Sequence, residues 1–90
     1  MDIEVGRVVI SSAGHDTGRP MLVIGAGDGF VFVADGKERL LAHPKKKNSK
    51  HVRATRQVIE TEGLTDKRLR QTLRAMFAEH VQESEQLVKR

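Results

Sequence analysis

The side chains best suited to chemistry in this chain are the lysines of one short segment. Lys45, Lys46, Lys47 and Lys50 all fall within Pro44–His51, which contains no acidic residue. Ammonium groups at this density attract phosphate oxygens, and a concentrated positive segment is typical of proteins that dock on nucleic-acid backbones. The alternative interpretation is a solvated loop whose lysines only keep the protein soluble.

The positive charge of the chain is local. Residues 37–56 hold eight Lys and Arg against one acid, which gives +7. Residues 1–36 hold two bases and five acids, and residues 57–90 hold six of each. We therefore expect phosphate contacts first from the four lysines and Arg53. A second set of candidates is Arg19, Lys37, Arg39, Asn48, His51 and Arg56. Asn48 could reach a base edge or a 2′-hydroxyl, or it could cap the turn.

The residue patterns of enzymes are incomplete in this sequence. The chain has no cysteine, which excludes a thiolate nucleophile or ligand, and its four histidines lack metal-ligand spacing. Ser11 and Ser12 have His15 nearby in sequence, but a catalytic triad needs a geometry that proximity does not supply. We expect no catalytic residue, no metal and no cofactor, so that the protein is not an enzyme.

Two glycine-rich stretches resemble phosphate-binding loops only superficially. In Gly25-x-Gly27-x-Gly29 the third glycine comes one residue early, and a strand-like segment follows in place of a helix. This stretch is interpreted as a hairpin turn, for which Asp28-Gly29 is a strong signal. Residues 14–19 lack the Gly-Lys-Ser/Thr ending of a nucleotide-binding loop.

Length and composition limit the classes of protein that remain. Ninety residues suffice for one small domain. No apolar run approaches the roughly 20 residues that span a bilayer, and the acidic start of the chain does not resemble a signal peptide. We expect a cytoplasmic protein without membrane contact. The only aromatic residues are Phe30, Phe32 and Phe77, which argues against a base-stacking surface. Backbone charge and shape should then dominate any binding of nucleic acid.

The elements that must position the lysines are predicted to be short strands. β-branched and alternating apolar residues separated by Gly, Asp and Pro predict five of them. These are Arg7–Ser12, Pro20–Ala26, Phe30–Ala34, Glu38–His43 and His51–Ile59. The spacing favours a small barrel or sandwich over residues 1–59, with residues 44–51 as a basic loop. The expected core residues are Val8, Ile10, Leu22, Ile24, Val31, Val33 and Leu40.

The chain changes character after Ile59. Residues 60–65 are interpreted as a linker, Thr65 as a helix N-cap, and residues 66–88 as an amphipathic helix. Its apolar stripe is formed by Leu69, Leu73, Met76, Phe77, His80 or Val81, and Leu87. The stripe should be buried, either on the barrel, on a partner protein or on another copy of the chain.

Residues 6–19, followed by Met21–Gly25, resemble the KOW motif. In that motif a β-branched strand runs into a loop with a glycine, here Gly18, and then into a second strand. The resemblance continues through residues 30–36 and through the basic residues 39–51, and it covers about residues 5–56. The whole pattern is similar to small bacterial KOW-domain RNA-binding proteins, relatives of the KOW-type large-subunit ribosomal proteins of archaea and eukaryotes.

The resemblance implies an SH3-like five-stranded β-barrel, here followed by one C-terminal helix, that contacts RNA. It also implies that Ser11, His15 and Arg19 belong to or flank the loop that meets RNA, although Asp16 stands where many such loops carry a base. Gly18 should have a backbone conformation or a close contact that a Cβ would hinder.

The predicted function is therefore binding of structured RNA, with ribosomal RNA as the expected partner and an association with translation. Ribosomal or other proteins are further expected partners through the helix. The alternative is an adaptor whose barrel or helix binds a protein while the lysines only contact solvent.

Overall fold

The computed structural model describes the backbone of residues 3–89 and the side chains of residues 3–77. Five strands and a 3₁₀ turn (Ser49–His51) precede one helix, α1 (Asp66–Lys89). The strands are β1 (Arg7–Ser11), β2 (Pro20–Gly27), β3 (Phe30–Ala34), β4 (Lys45–Asn48) and β5 (Val52–Val58). The side chains of His80, Val81 and Leu87 lie outside the described residues.

The strands form a single antiparallel sheet in the order β4-β3-β2-β1-β5. The prediction of a mainly β protein with one C-terminal helix is confirmed. Four of the five predicted strands are present, and the stretch around Gly27 and Gly29 is the β2–β3 hairpin turn. Of the helices described, none is both long and apolar enough to cross a membrane.

The predicted fourth strand and the predicted basic loop are both wrong. Residues 38–43 form turns, because the Asp35 carboxylate accepts hydrogen bonds from the amides of Lys37 and Arg39. The amide of Leu41 donates to Asp66 Oδ1 at the start of α1. With these amides bonded locally, the chain pairs with β3 only from Lys45 onward, so that the lysines themselves form β4.

Both faces of the sheet are buried, although the sequence predicted a core on alternate residues. One cluster contains Val9, Met21, Val23, Val31, Val33 and Val52, and we call its side the inner face. The other contains Val8, Leu22 and Ala34 together with Leu69 and Leu73 of α1, and we call its side the outer face. The predicted core residues Ile10 and Ile24 are only partly buried, and Leu40 is exposed.

The first half of the helix docks on its own sheet. Leu69 and Leu73 are buried against the outer face, and Met76 and Phe77 pack around them. At the N-terminus, Thr65 Oγ1 accepts a hydrogen bond from the Arg68 amide, as expected of an N-cap. Of the three alternatives for the apolar stripe, these four residues show the first, packing on the sheet of the same chain.

Candidate functional site

Strand β4 divides the lysine segment between two faces of the sheet. Lys45 and Lys47 lie opposite Val33 and Val31 in register with β3, and therefore share the inner face with them. Lys46 and Asn48 lie opposite Phe32 and Phe30 and point the other way. Because side chains alternate along a strand, a continuous run of lysines cannot present one continuous surface here.

Lys47 is buried and bound within the protein. Its side chain is only 5% exposed, and its Nζ lies 3.0 Å from both Asp16 Oδ1 and the carbonyl oxygen of Ala13. Ser11 Oγ also donates to Asp16 Oδ1, at 2.8 Å. Lys45 Nζ lies 3.6 Å from the second carboxylate oxygen. Two of the five residues predicted as main phosphate contacts therefore neutralise an internal acid.

The charge of Asp16 is held by these neighbours. Burial would raise the pKa of its carboxyl, but the hydrogen bonds from Lys47 and Ser11 and the charges of Lys47 and Lys45 outweigh this effect. The pKa of Asp16 falls from 3.8 to about 2. The carboxylate therefore stays ionised at neutral pH and ties the β1–β2 loop to the edge strand.

Lys46, on the other face of β4, and Lys50, in the 3₁₀ turn, are both exposed. The Lys46 Nζ lies 4.4 Å from the ring centroid of Phe30, in cation–π geometry. Asn48 Oδ1 accepts a hydrogen bond from the Lys50 amide, so that Asn48 caps the 3₁₀ turn. The turn connects the two edge strands, β4 and β5, and its residues Lys50 and His51 are exposed.

Strand β5 supplies two exposed arginines around an irregularity in its pairing. Val9 pairs with Ala54 and Arg7 with Val58, so that residues 55–57 bulge opposite a single residue of β1, Val8. Thr55 Oγ1 donates to the Val8 carbonyl at 2.7 Å and accepts from the Gln57 amide, which holds the bulge. Bulges of this kind change the direction of side chains, and Arg56 lies within it.

Arg53 borders an open groove beside the β1–β2 loop. The groove has a volume of about 450 Å³, and its polar lining includes Ser12, Thr17 and Arg53. Gly18 also lines it and has a φ of +87°. No atom lies within 4 Å of the position that a Cβ would occupy there. The resemblance predicts either a special backbone conformation or a close contact at Gly18. The structure has the left-handed backbone conformation and no close contact.

The remaining candidates belong to a separate group near the β3–β4 connection. Arg19 is paired with Glu38, and both side chains are about half exposed. Arg39 and Lys45 line a small pocket together with His15 and Asp35, while Lys37 is exposed in the neighbouring turn. Acidic residues interleave these bases, which reduces their net field relative to that of the β4–β5 region.

The eleven predicted site residues thus do not form one surface. Four exposed cations follow one another along β4, the 3₁₀ turn and β5, and we call them the exposed basic segment: Lys46, Lys50, Arg53 and Arg56. Among the side chains of residues 3–77, none of these four forms an ion pair. Residues 39–59 contain no acid at all.

Sequence reasoning missed the structural role of Asp16 and the position of Phe30. An acid in the β1–β2 loop carries no signal of its partner 31 residues away, because only the register of β4 brings the two together. In the part of the chain that the structure describes, no group of His, Cys, Asp and Glu could hold a metal ion. No protein-family model matches the chain, and no curated protein matches its sequence.

Proposed function

We propose that this protein binds structured RNA and contacts its phosphates with the exposed basic segment. The observation that carries the proposal is the acid-free stretch from Arg39 to Ile59. Within it, the four cations of the exposed basic segment have no acidic partner among the described side chains, while Lys45 and Lys47 are neutralised by an acid. Cations without an acidic partner break no ion pair when they bind a phosphate, and the release of counterions favours the association.

The KOW resemblance and the topology support the same proposal. A five-stranded antiparallel sheet with β5 beside β1, and with a 3₁₀ turn before its last strand, is compatible with an SH3-like barrel of the KOW type. The loop that the resemblance expects to meet RNA, between β1 and β2, lies beside Arg53, because Thr17 and Gly18 line the groove that Arg53 borders. The resemblance further supports ribosomal RNA as the class of target and the cytoplasm as the location.

The proposed contacts differ from those expected from the sequence. Lys46, Lys50, Arg53 and Arg56 become the main phosphate contacts, and exposed His51 lies among them. Lys45 and Lys47 are instead proposed to hold the edge strand on which Lys46 lies. Arg19, Lys37 and Arg39 remain a separate peripheral group, because Arg19 already has an acidic partner in Glu38.

A protein-binding adaptor is the competing function, with either the sheet or the helix as its binding surface. Leu69 and Leu73 are 0% and 5% exposed against the sheet of the same chain, so that this part of the helix offers no apolar face to a partner. The structure therefore favours the basic segment over the first half of the helix as the binding surface.

The salt dependence of binding tests the proposal. Affinity for a structured RNA hairpin should fall as salt rises, with a log–log slope of about −3 if the four cations each contact a phosphate. Heparin at equal charge should compete poorly, since the contacts depend on the spacing of phosphates in folded RNA. Weak binding that does not distinguish RNA from heparin would favour the adaptor. Crosslinking in cells, followed by sequencing of the attached RNA, would then identify the target.

A further inference from the structure

A cavity next to the exposed basic segment has an aromatic wall. It has a volume of about 390 Å³ and is more open to solvent than the groove beside Arg53. Its lining is Ile3, Ala26, Gly27, Phe30, Val31, Ser49 and Lys50. The apolar residues come from the β2–β3 hairpin and the start of the chain, whereas Ser49 and Lys50 come from the 3₁₀ turn.

The ring of Phe30 is held in a fixed position at this cavity. It meets Phe32 edge to face, with the ring centroids 5.3 Å apart and the ring planes at 82°. It also lies so close to Gly27 that a Cβ at that residue would collide with the ring. Gly27 therefore leaves the space that the ring occupies.

Positive charge surrounds this ring on two sides. Lys46 lies over the ring, and Lys50 lines the cavity itself. No acidic residue is among the lining residues, although Asp28 is exposed in the adjacent hairpin turn. A planar apolar surface next to unpaired cations matches the two parts of a nucleotide, with the base on the ring and the phosphate on the lysines.

We infer that this cavity, formed by Phe30, Gly27, Ser49 and Lys50, receives one unpaired nucleobase of the bound RNA. The inference rests on the proposed function, because the base belongs to the same RNA whose phosphates meet the exposed basic segment. Lys50 is common to both, so that the cavity continues that surface. The scarcity of aromatic residues excludes a platform for successive bases but permits this single site. The target is then an irregular helix, with a bulged or flipped nucleotide, and not a regular duplex.

Two RNA hairpins that differ in one unpaired adenosine test the inference. The protein should bind the bulged hairpin about 5- to 100-fold more tightly than the perfect one, because stacking of one base on an aromatic ring contributes an affinity gain of about this size. An adenosine is suitable because such stacking tolerates any base. Phe30→Ala should abolish this preference and leave the salt slope for the perfect hairpin unchanged. If the alanine variant does not fold, Phe30→Leu replaces it in the test. This variant keeps most of the apolar volume and should reduce the preference. Phe30→Tyr should retain it.

Phe77→Leu is the matched control and should keep the preference, because Phe77 packs with Leu69 and Leu73 on the outer face and is not among the lining residues of the cavity. A second readout uses the absence of Trp and Tyr from the chain. The fluorescence of the Phe30→Trp variant should be quenched by the bulged hairpin and much less by the perfect one.

Equal affinity of the parent protein for both hairpins, or an unchanged preference in Phe30→Leu, would overturn the stacking site while the proposed function stands. Binding to neither hairpin would overturn both proposals.

Discussion

Lys47 and Asp16 form a buried ion pair that joins edge strand β4 to the loop between β1 and β2. Lys47 Nζ lies 3.0 Å from Asp16 Oδ1, and the two residues are 7% and 8% exposed. Lys47 Nζ also donates to the carbonyl of Ala13, and the Ser11 hydroxyl donates to Asp16 Oδ1, whereas the buried Asp16 Oδ2 has no hydrogen-bond partner. Two neighbouring lysines of the run therefore differ, because Lys47 is bound inside the protein, whereas Lys46 is exposed and has no acidic partner among the side chains of residues 3–77.

Removal of the Lys47 ammonium should destabilise the protein. Lys47→Met keeps the hydrocarbon part of the side chain but leaves the Asp16 carboxylate with the more distant Lys45 as its one charged partner among the described side chains. We expect a loss of about 3 kcal/mol in the free energy of unfolding, at the low end for a broken buried pair. Chemical denaturation measures this loss.

Lys46→Met is the matched control, since it makes the same chemical change at the preceding residue of the strand. It should cost less than about 1 kcal/mol, because Lys46 is exposed and loses only its contact with the Phe30 ring. Equal stability of the two variants would show that the ion pair with Asp16 contributes nothing to the fold.

Stability should fall in acid through Asp16. Its pKa is about 2 in the folded protein against an ordinary value of 3.8, so that the folded state binds the proton more weakly than the unfolded state. The resulting stabilisation is fully present above about pH 5 and is lost as the pH falls from there toward 2. We expect a contribution of roughly 2 kcal/mol, from about 1.4 kcal/mol per pKa unit.

Asp16→Asn isolates this contribution. The variant should be less stable than the parent at pH 7, and the difference should shrink as the pH falls to 2. Denaturation curves at a series of pH values provide the comparison. A constant difference across that range would contradict the assigned role of the carboxylate charge.

The sequence predicted the strands that have strong local signals and failed where a distant partner decides the structure. Val8–Ile10 and the Asp28-Gly29 turn are local features, and both are present as predicted. Strand β4 has a lysine, Lys47, at a buried position where an apolar residue would be expected. Asp16 makes this possible because it neutralises the buried ammonium group. No pattern within residues 44–51 contains that information. The same limit explains why all four lysines appeared equivalent as site residues.

The phosphate-contact proposal predicts a position-dependent effect of charge removal. Lys50→Ala, Arg53→Ala and Arg56→Ala in one protein should reduce the magnitude of the salt slope for RNA by about 2, at roughly 0.7–0.9 for each lost contact. The melting temperature should change little, because all three residues are exposed.

A control with the same charge change distinguishes local contacts from net charge. Lys67→Ala, Arg68→Ala and Arg74→Ala remove three exposed cations from α1 instead. This variant should keep most of the parent slope. If both triple variants lose affinity and slope equally, the protein binds RNA by overall charge alone and the exposed basic segment is not the docking surface.

Gly36 should be the most sensitive of the turn glycines. It has a φ of +78°, and a Cβ there would collide with the carbonyl oxygen of Asp66 and approach the Arg70 amide to 3.0 Å. Arg70 also donates to the Gly36 carbonyl at 2.8 Å. Gly36→Ala must therefore displace the start of α1 in addition to adopting a left-handed conformation.

Gly18→Ala is the comparison for this effect, because Gly18 has a similar φ of +87° with open space around it. We expect about 1 kcal/mol of destabilisation for Gly18→Ala, from the backbone conformation alone. Gly36→Ala should lose clearly more. Thermal melts of the two proteins measure the difference, and similar melting temperatures would contradict the close packing of helix and turn.

The helix should be required for the stability of the sheet, because it covers one of its two apolar faces. Leu73 is buried with Val8 and Leu22, and Leu73→Asp would place an unpaired charge among them. We expect a loss of at least about 3 kcal/mol in the free energy of unfolding. Gln71→Asp introduces a carboxylate at an exposed residue of the same helix, and should change stability by less than about 0.5 kcal/mol.

Truncation after Glu62 should likewise lower the melting temperature, since the outer face then meets water. A truncated protein that melts at the parent temperature would show that the sheet does not need the helix, and would favour a partner protein as the true ligand of the apolar stripe.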